Sequence, residues 1–204
     1  MLARLDRYHF FESDKIRGKR PLMLEVGAFS GELAFVFLEY YPKGSVLIFE
    51  AEAENFAALH KATSPDNRIA VFHKAVTDRD GETALYKYPD PNSNSVYARH
   101  NFDGKELMET QVVESVCLET ILKDTGIAFV DFLLLNCEGS ELAILNTVGE
   151  SVELQEKIGQ ICVSFHHLHT KMYSQEEFEK IRKKLRRRYN VIEGNRRWGY
   201  YLFY

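Results

Sequence analysis

Leu22-Met23-Leu24-Glu25-Val26-Gly27-Ala28-Phe29-Ser30-Gly31 is an apolar run that ends in an acid and then in two glycines four positions apart. The next apolar run, Val46-Leu47-Ile48-Phe49, also closes on an acid, Glu50. Strand, glycine turn, helix and a second strand tipped by a carboxylate make the entrance of a nucleotide-binding α/β domain. The glycines let a ligand approach the backbone closely. A carboxylate at the tip of the second strand can accept hydrogen bonds from both hydroxyls of a ribose. The stretch therefore points first to an adenosine-containing cofactor, and second to a plain strand-to-helix turn with Glu25 as a solvated strand end.

Outward from this stretch the chain alternates. Pro21 to Val26 reads as a strand, Gly31 to Tyr41 as a helix stopped by Pro42-Lys43-Gly44, Val46 to Glu50 as a strand and Glu54 to Thr63 as a helix. Arg68 to Val76 is strand-like, and Thr77 to Gly81 is a turn leading to Glu82–Tyr88, which suggests a hairpin between these two strands. Residues 89–110 read as a long loop, of the kind that more often carries function than not. Gln111 to Val116 is again strand-like, followed by a short helix from Leu118 to Thr125. Val130 to Leu135 and Ile158 to Phe165 have the unbroken apolar character of strands buried on both faces. Between them Glu141 to Val148 is helical. Ser174-Gln175-Glu176-Glu177 is a capping box that opens a helix with Phe178, Ile181 and Leu185 on one side. Tyr189–Glu193 and Trp198–Tyr204 are strands joined by Gly194-Asn195-Arg196-Arg197, a connection too short for anything but an antiparallel pair. The expected fold is α/β, with a mostly parallel seven-stranded sheet, helices on both faces and a C-terminal antiparallel hairpin. That ending is the one expected of the Rossmann-like class I methyltransferases, not of dinucleotide dehydrogenases.

Composition narrows the field. A chain of 204 residues that is 45% hydrophobic with a net charge of −4 suits one soluble domain, here 1–204, with residues 1–20 as a helical or extended lead-in. No apolar run nears the roughly 20 residues that cross a bilayer, and the charged N-terminal stretch lacks the apolar core of a secretion signal. Cys117, Cys137 and Cys162 stand apart in apolar surroundings without CxxC spacing, and read as reduced and buried in a cytoplasmic protein. The basic run Lys180 to Arg188 carries its apolar residues on one helical face, so it reads as a solvated face and not as a nucleic-acid surface.

Four segments then converge on one resemblance. Glu25-Val26-Gly27-Ala28-Phe29-Ser30-Gly31 resembles the acid-x-Gly-Ala-Asn-x-Gly turn of the FkbM family of S-adenosylmethionine-dependent methyltransferases. Phe49-Glu50-Ala51-Glu52-Ala53-Glu54-Asn55 resembles its Phe-Glu-Pro-x-Pro-x-Asn stretch, and Ala75-Val76-Thr77-Asp78 with Asp80-Gly81 its post-strand turn. Val116 to Glu119, then Asp131-Phe132-Leu133-Leu134-Leu135-Asn136-Cys137-Glu138-Gly139-Ser140-Glu141, resembles its Val-x-Leu-Asp and Asp-Leu-Leu-Lys-Ile-Asp-Val-Glu-Gly-x-Glu segments. Phe29 stands where the family has Asn, Ala51 and Ala53 where it often has Pro, Glu119 where it has Asp, and Asn136-Cys137 where it has Asp-Val.

The resemblance implies S-adenosylmethionine as cofactor, with contacts along Glu25, Gly27, Ala28, Phe29, Ser30 and Gly31. It also implies contacts at Glu50 and Ala51, at Ala75 and Val76 beside the adenine, and at Asn136. It implies a hydroxyl acceptor on a sugar or other natural product, with 89–110 shaping the acceptor side. His166 is the first candidate for the base that takes the acceptor's proton and Glu138 the second. Against these stand a structural histidine at a strand end and an acid in the first turn of a helix. His166, His167 and His169 form a His-rich run, but with Asn136 in place of an acid no metal site is expected. A nucleic-acid methyltransferase, an NAD-dependent oxidoreductase and a non-catalytic S-adenosylmethionine-binding domain are the alternative readings. The expected partner is the small-molecule acceptor, with no membrane and no nucleic acid, and the sequence does not give the oligomeric state.

Overall fold

The computed structural model describes residues 1–98, 107–166, 173–195 and 199–204. Twelve strands are present among them: β1 (Leu2–Arg4), β2 (Phe10–Glu12), β3 (Leu22–Val26), β4 (Ser45–Glu50), β5 (Ile69–His73), β6 (Ala75–Val76), β7 (Gly81–Lys87), β8 (Glu109–Val116), β9 (Val130–Leu135), β10 (Ile158–Ser164), β11 (Val191–Asn195) and β12 (Tyr200–Phe203). The helices are α1 (Glu32–Tyr40), α2 (Ala53–Thr63), α3 (Leu118–Thr125), α4 (Glu141–Glu150), α5 (Val152–Lys157) and α6 (Gln175–Leu185).

Seven strands form one sheet in the order β11-β12-β10-β9-β3-β4-β5. The five from β10 to β5 run parallel, and β12 enters antiparallel between β10 and β11. The C-terminal hairpin is thus wedged into the sheet edge. Strand order reverses between β3 and β9: from β3 the chain winds outward through β4 to β5, then returns to lay β9 and β10 on the other side. Such a reversal opens a crevice at the carboxyl ends of the strands, where ligands of open α/β sheets bind.

Alternation along each strand builds a core on both faces. Met23, Phe132, Leu134, Cys162 and Leu202 pack with Ala34, Phe37 and Leu38 of α1 and Leu59 of α2. Leu24, Leu133, Leu135, Ile161, Val163 and Phe203 pack with the buried residues of α3, α4, α5 and α6. The 1–20 segment is a β1–β2 hairpin that covers the first of these faces, with Phe11 buried between Phe37 and Phe132. Two buried polar side chains clip it in place. Gln160 of β10 donates to the Glu12 carbonyl at 2.9 Å and accepts from the Glu12 amide at 2.7 Å. Asp131 of β9 accepts from the amides of Arg17 and Leu22 at 2.8 and 3.0 Å. Buried polar groups in a sheet are tolerated because they are bonded in this way.

The expected hairpin between 68–76 and 82–88 does not form. β7 pairs antiparallel with β8 from Gly81↔Ser115 to Lys87↔Glu109, and the two-residue β6 runs parallel to β8 on its other edge. The intervening turn is fastened to the end of β8, which excludes direct β6–β7 pairing. The Thr77 amide donates to the Val116 carbonyl at 3.0 Å, and Asp80 accepts from the Cys117 amide at 2.8 Å and the Thr120 hydroxyl at 2.6 Å. β8 begins at Glu109, within the stretch expected as loop. The capping box of α6 forms as expected, each of Ser174 and Glu177 bonding the other's backbone amide.

Candidate functional site

Three strand ends meet at the reversal. The Gly27 amide donates to the Phe49 carbonyl and the Asn136 amide to the Val26 carbonyl, both at 3.0 Å, so the turns after β3, β4 and β9 are drawn together. Gly27 sits at φ 77°, and a Cβ there would lie 2.4 Å from the Asn136 carbonyl oxygen and 2.9 Å from Cys137 Cα. Only glycine fits both the conformation and the gap. Gly31, at φ 70°, caps α1 and leaves no room for a Cβ beside Leu59. Between them Phe29 is held at φ 49°, a left-handed conformation that a bulky residue rarely adopts, with its ring 43% exposed.

The Phe29 amide donates to Glu50 Oε2 at 3.1 Å, and the Glu52 amide to Glu50 Oε1 at 3.0 Å. Glu50 is thereby fixed at the β4 tip. Burial raises its carboxyl pKa, against the lowering effect of these backbone donors. Glu25, one strand over, is buried, and its Oε2 has no hydrogen-bond partner among the described residues. Burial first, then the nearby Glu50 charge, pushes its pKa up to about 8.

A cleft opens above these turns. Gly27, Phe29, Glu50, Ala51, Ala75, Val76, Asn136 and Glu138 all line it. The remaining members of the expected cofactor set, Glu25, Ala28, Ser30 and Gly31, are not among the described residues that line it. Residues 92–96, from the front of the expected acceptor-side loop, contribute Asn92, Asn94, Ser95 and Val96 to the opposite wall.

The acid side of the cleft is the turn after β9. Glu138 at φ 55° and Gly139 at φ 129° give it a left-handed course. Glu141, fully buried at the start of α4, organises it. Its carboxylate accepts from the Cys137 amide at 3.1 Å and the Gly139 amide at 2.8 Å, and takes His166 Nδ1 at 2.7 Å. His166 Nε2 lies 2.8 Å from Glu138 Oε1, and the Ser95 hydroxyl donates to the Glu138 carbonyl at 2.6 Å. Glu141 is the residue that sequence reasoning passed over. Its signal was present in the second acid of Glu138-Gly139-Ser140-Glu141.

Both ring nitrogens of His166 are thus engaged by carboxylates. Desolvation alone would lower its pKa, but the carboxylates of Glu141 and Glu138 outweigh that and hold it at about 10. An imidazolium that donates to two carboxylates has no vacant nitrogen with which to take a proton. Burial pushes the Cys137 thiol well up, with Glu141 adding to it, which leaves Cys137 without nucleophilic character. His167, His169 and Trp198 lie outside the described residues. In the basic run, Arg182 departs from a solvated face: it is 12% exposed, pairs with Glu193 and lies over the Phe178 and Tyr201 rings.

Sheet order, wedged hairpin and a cleft at the β3/β9 reversal together define a Rossmann-like class I methyltransferase. Solved structures with this architecture agree in fold. A fibrillarin/Nop5p complex superposes with a TM-score of 0.50 at 13% identity, covering 92% of this chain and 72% of the other. A precorrin-6y C5,15-methyltransferase from Geobacter metallireducens GS-15 gives 0.50 at 10% identity, covering 93% and 82%. The sequence profile of the methyltransferase FkbM domain matches residues 25–200, and the chain belongs to the FkbM methyltransferase family. A curated relative, the 2-O-methyltransferase NoeI of Sinorhizobium fredii, is 24% identical over 142 residues, 61% of this chain. The match spans 56% of that relative's length. Among the described residues no helix is long and apolar enough to cross a membrane.

Proposed function

We propose that this chain methylates a hydroxyl oxygen of a sugar or other small molecule, with S-adenosylmethionine held along the Gly27–Gly31 turn and at Glu50. The residues present fit that cofactor. Gly27 lines the cleft with backbone alone. Glu50 spends one acceptor direction of each oxygen on the backbone and retains capacity for a ribose diol. Phe49, Ala75, Val76 and Leu85 give an apolar wall for a flat ring. When bound, S-adenosylmethionine supplies a methyl group already activated by its sulfonium charge.

The protein's share of the work is alignment and proton removal. Alignment in such a cleft can supply roughly 7–11 kcal/mol of the barrier. Glu138, held by His166 through its side chain and by Ser95 through its carbonyl, stands in the cleft wall to accept the hydroxyl proton as the oxygen–carbon bond forms. Glu141 fixes the His166 ring and the turn backbone together, so the Glu138 carboxylate keeps one orientation. A positioned base of this kind contributes about 10²- to 10⁴-fold. The carrying observation is that one cleft holds both the Glu50 strand tip and the Glu138 turn. The activity in the name of NoeI, a 2-O-methyltransferase, supports a hydroxyl acceptor.

Titration calorimetry with S-adenosylmethionine and S-adenosylhomocysteine tests the reading directly. Binding of either, lost in Glu50→Ala and kept in Glu138→Gln, is the expected pattern. Incubation with an extract of source cells should give a product one CH₂ heavier, and Glu138→Gln should slow its formation. Failure to bind either nucleoside, with normal binding of NAD, would overturn the proposal.

A further inference from the structure

The turn that carries Glu138 has a second side. Glu138 and Ser140 line the cleft described above, whereas Gly139 between them lines a separate groove of about 540 Å³ that runs between α4 and α6. The two spaces thus share one wall, a single turn of chain. The groove floor is apolar, formed by Leu142 and Ala143 of α4, Ile181 of α6 and the Tyr173 ring. Its rim is cationic, with Lys180, Lys183, Lys184 and Arg187 all on the α6 side.

Two of these cations are already engaged. Lys180 pairs with Glu176 at 2.9 Å, and Lys184 with Glu150 at 2.7 Å and Asn146 Oδ1 at 2.9 Å. Lys183 and Arg187 are exposed and have no ion-pair partner among the described residues. Glu177, the one acid on the rim among the described residues, is turned to the α6 capping box with Ser174. An apolar trough with two uncompensated cations on its lip suits a ligand that is apolar along its length and anionic at one end.

We infer that the groove between α4 and α6 is the acceptor's anchoring subsite, and that the acceptor is an amphiphile bearing a phosphate-class anion. Its apolar portion lies on Leu142, Ala143 and Ile181, and Lys183 and Arg187 neutralise its phosphate or phosphodiester. Its hydroxyl crosses the Gly139 turn to reach Glu138. The guanidinium of Arg187 can engage such an anion through two parallel hydrogen bonds, and Lys183 adds a point charge. This inference rests on the methyl-transfer reading of the cleft, and names the chemistry of the acceptor that reading leaves open.

The test uses three probes on the intact chain: octyl phosphate, the neutral octyl glucoside and inorganic phosphate. Calorimetry should show octyl phosphate binding at least tenfold more tightly than either of the others, and more weakly as salt is raised. The double variant K183A/R187A should lose at least tenfold for octyl phosphate and retain S-adenosylhomocysteine affinity. Leu142→Asp should weaken octyl phosphate in the same way from the apolar side. Equal binding of octyl phosphate and octyl glucoside, or octyl phosphate affinity unchanged in K183A/R187A, would overturn the subsite. Because S-adenosylhomocysteine is measured in the same samples, failure of the groove is distinguished from failure of the cofactor cleft.

Discussion

Glu25→Gln should stabilise the protein progressively as pH rises, and the size of the effect follows from the position of Glu25. The carboxyl titrates near 4.5 when unhindered and at about 8 in the fold, where burial and the Glu50 charge disfavour ionisation. Between those values the folded chain keeps a proton that the unfolded chain has released, so wild-type stability falls with rising pH. At about 1.4 kcal/mol per pH unit the loss reaches about 3 kcal/mol at pH 7 and about 5 kcal/mol above pH 8. Glutamine keeps the shape and carries no titrating proton. Its amide leaves a buried donor that costs about 1–3 kcal/mol, but that cost does not vary with pH. Urea unfolding followed by far-ultraviolet circular dichroism at pH 5, 6, 7 and 8 measures the difference between variant and wild type. It should move in the variant's favour by roughly 1 kcal/mol per pH unit or somewhat more. A difference that stays constant from pH 5 to pH 8 would refute the reasoning, because an ionised Glu25 in both states gives no slope.

Gly27→Ala places a methyl against the Asn136 carbonyl in a left-handed conformation; it should cost about 2–4 kcal/mol in urea unfolding and abolish S-adenosylhomocysteine binding in calorimetry. His166→Gln removes the cation between two carboxylates and should cost about 3–5 kcal/mol at pH 6. Because the folded pKa is about 10 against 6.5 unfolded, the wild-type advantage is complete below pH 6.5 and fades as pH rises through about 10, which a series of unfolding curves over that range will show. Phe29→Asn replaces a bulky residue at φ 49° with one that accepts that conformation; a gain of about 0.5–1 kcal/mol in thermal or urea unfolding is expected.

The parts of the molecule that could be read from sequence are those whose physics is local. The acid-ended strand, the Gly27–Gly31 turn and the short 194–197 connection each constrain the backbone within a few residues, whereas the reversal of strand order between β3 and β9 is seen only in the assembled sheet. The β7–β8 pairing is different in kind. It joins segments separated by residues 88–108, and what decides it is the fastening of Asp80 to Cys117 and Thr120, contacts that no periodicity reports. The protonation of His166 is likewise non-local. A histidine at a strand end reads as a base until Glu141, 25 positions away along the chain, is brought to its other nitrogen. What the sequence could not suggest at all is backbone conformation at Phe29 and Glu138. These are the two non-glycine residues with positive φ among those described, and both line one cleft. The first turns its amide onto Glu50, and the second turns its carboxylate onto His166. Strained non-glycine backbone of this kind costs about 1–3 kcal/mol per residue and persists where the surrounding structure enforces it. Neither position is needed to continue a strand or start a helix, since Gly31 and Ser140 do that work. The strain therefore belongs to the cleft, which both turns line.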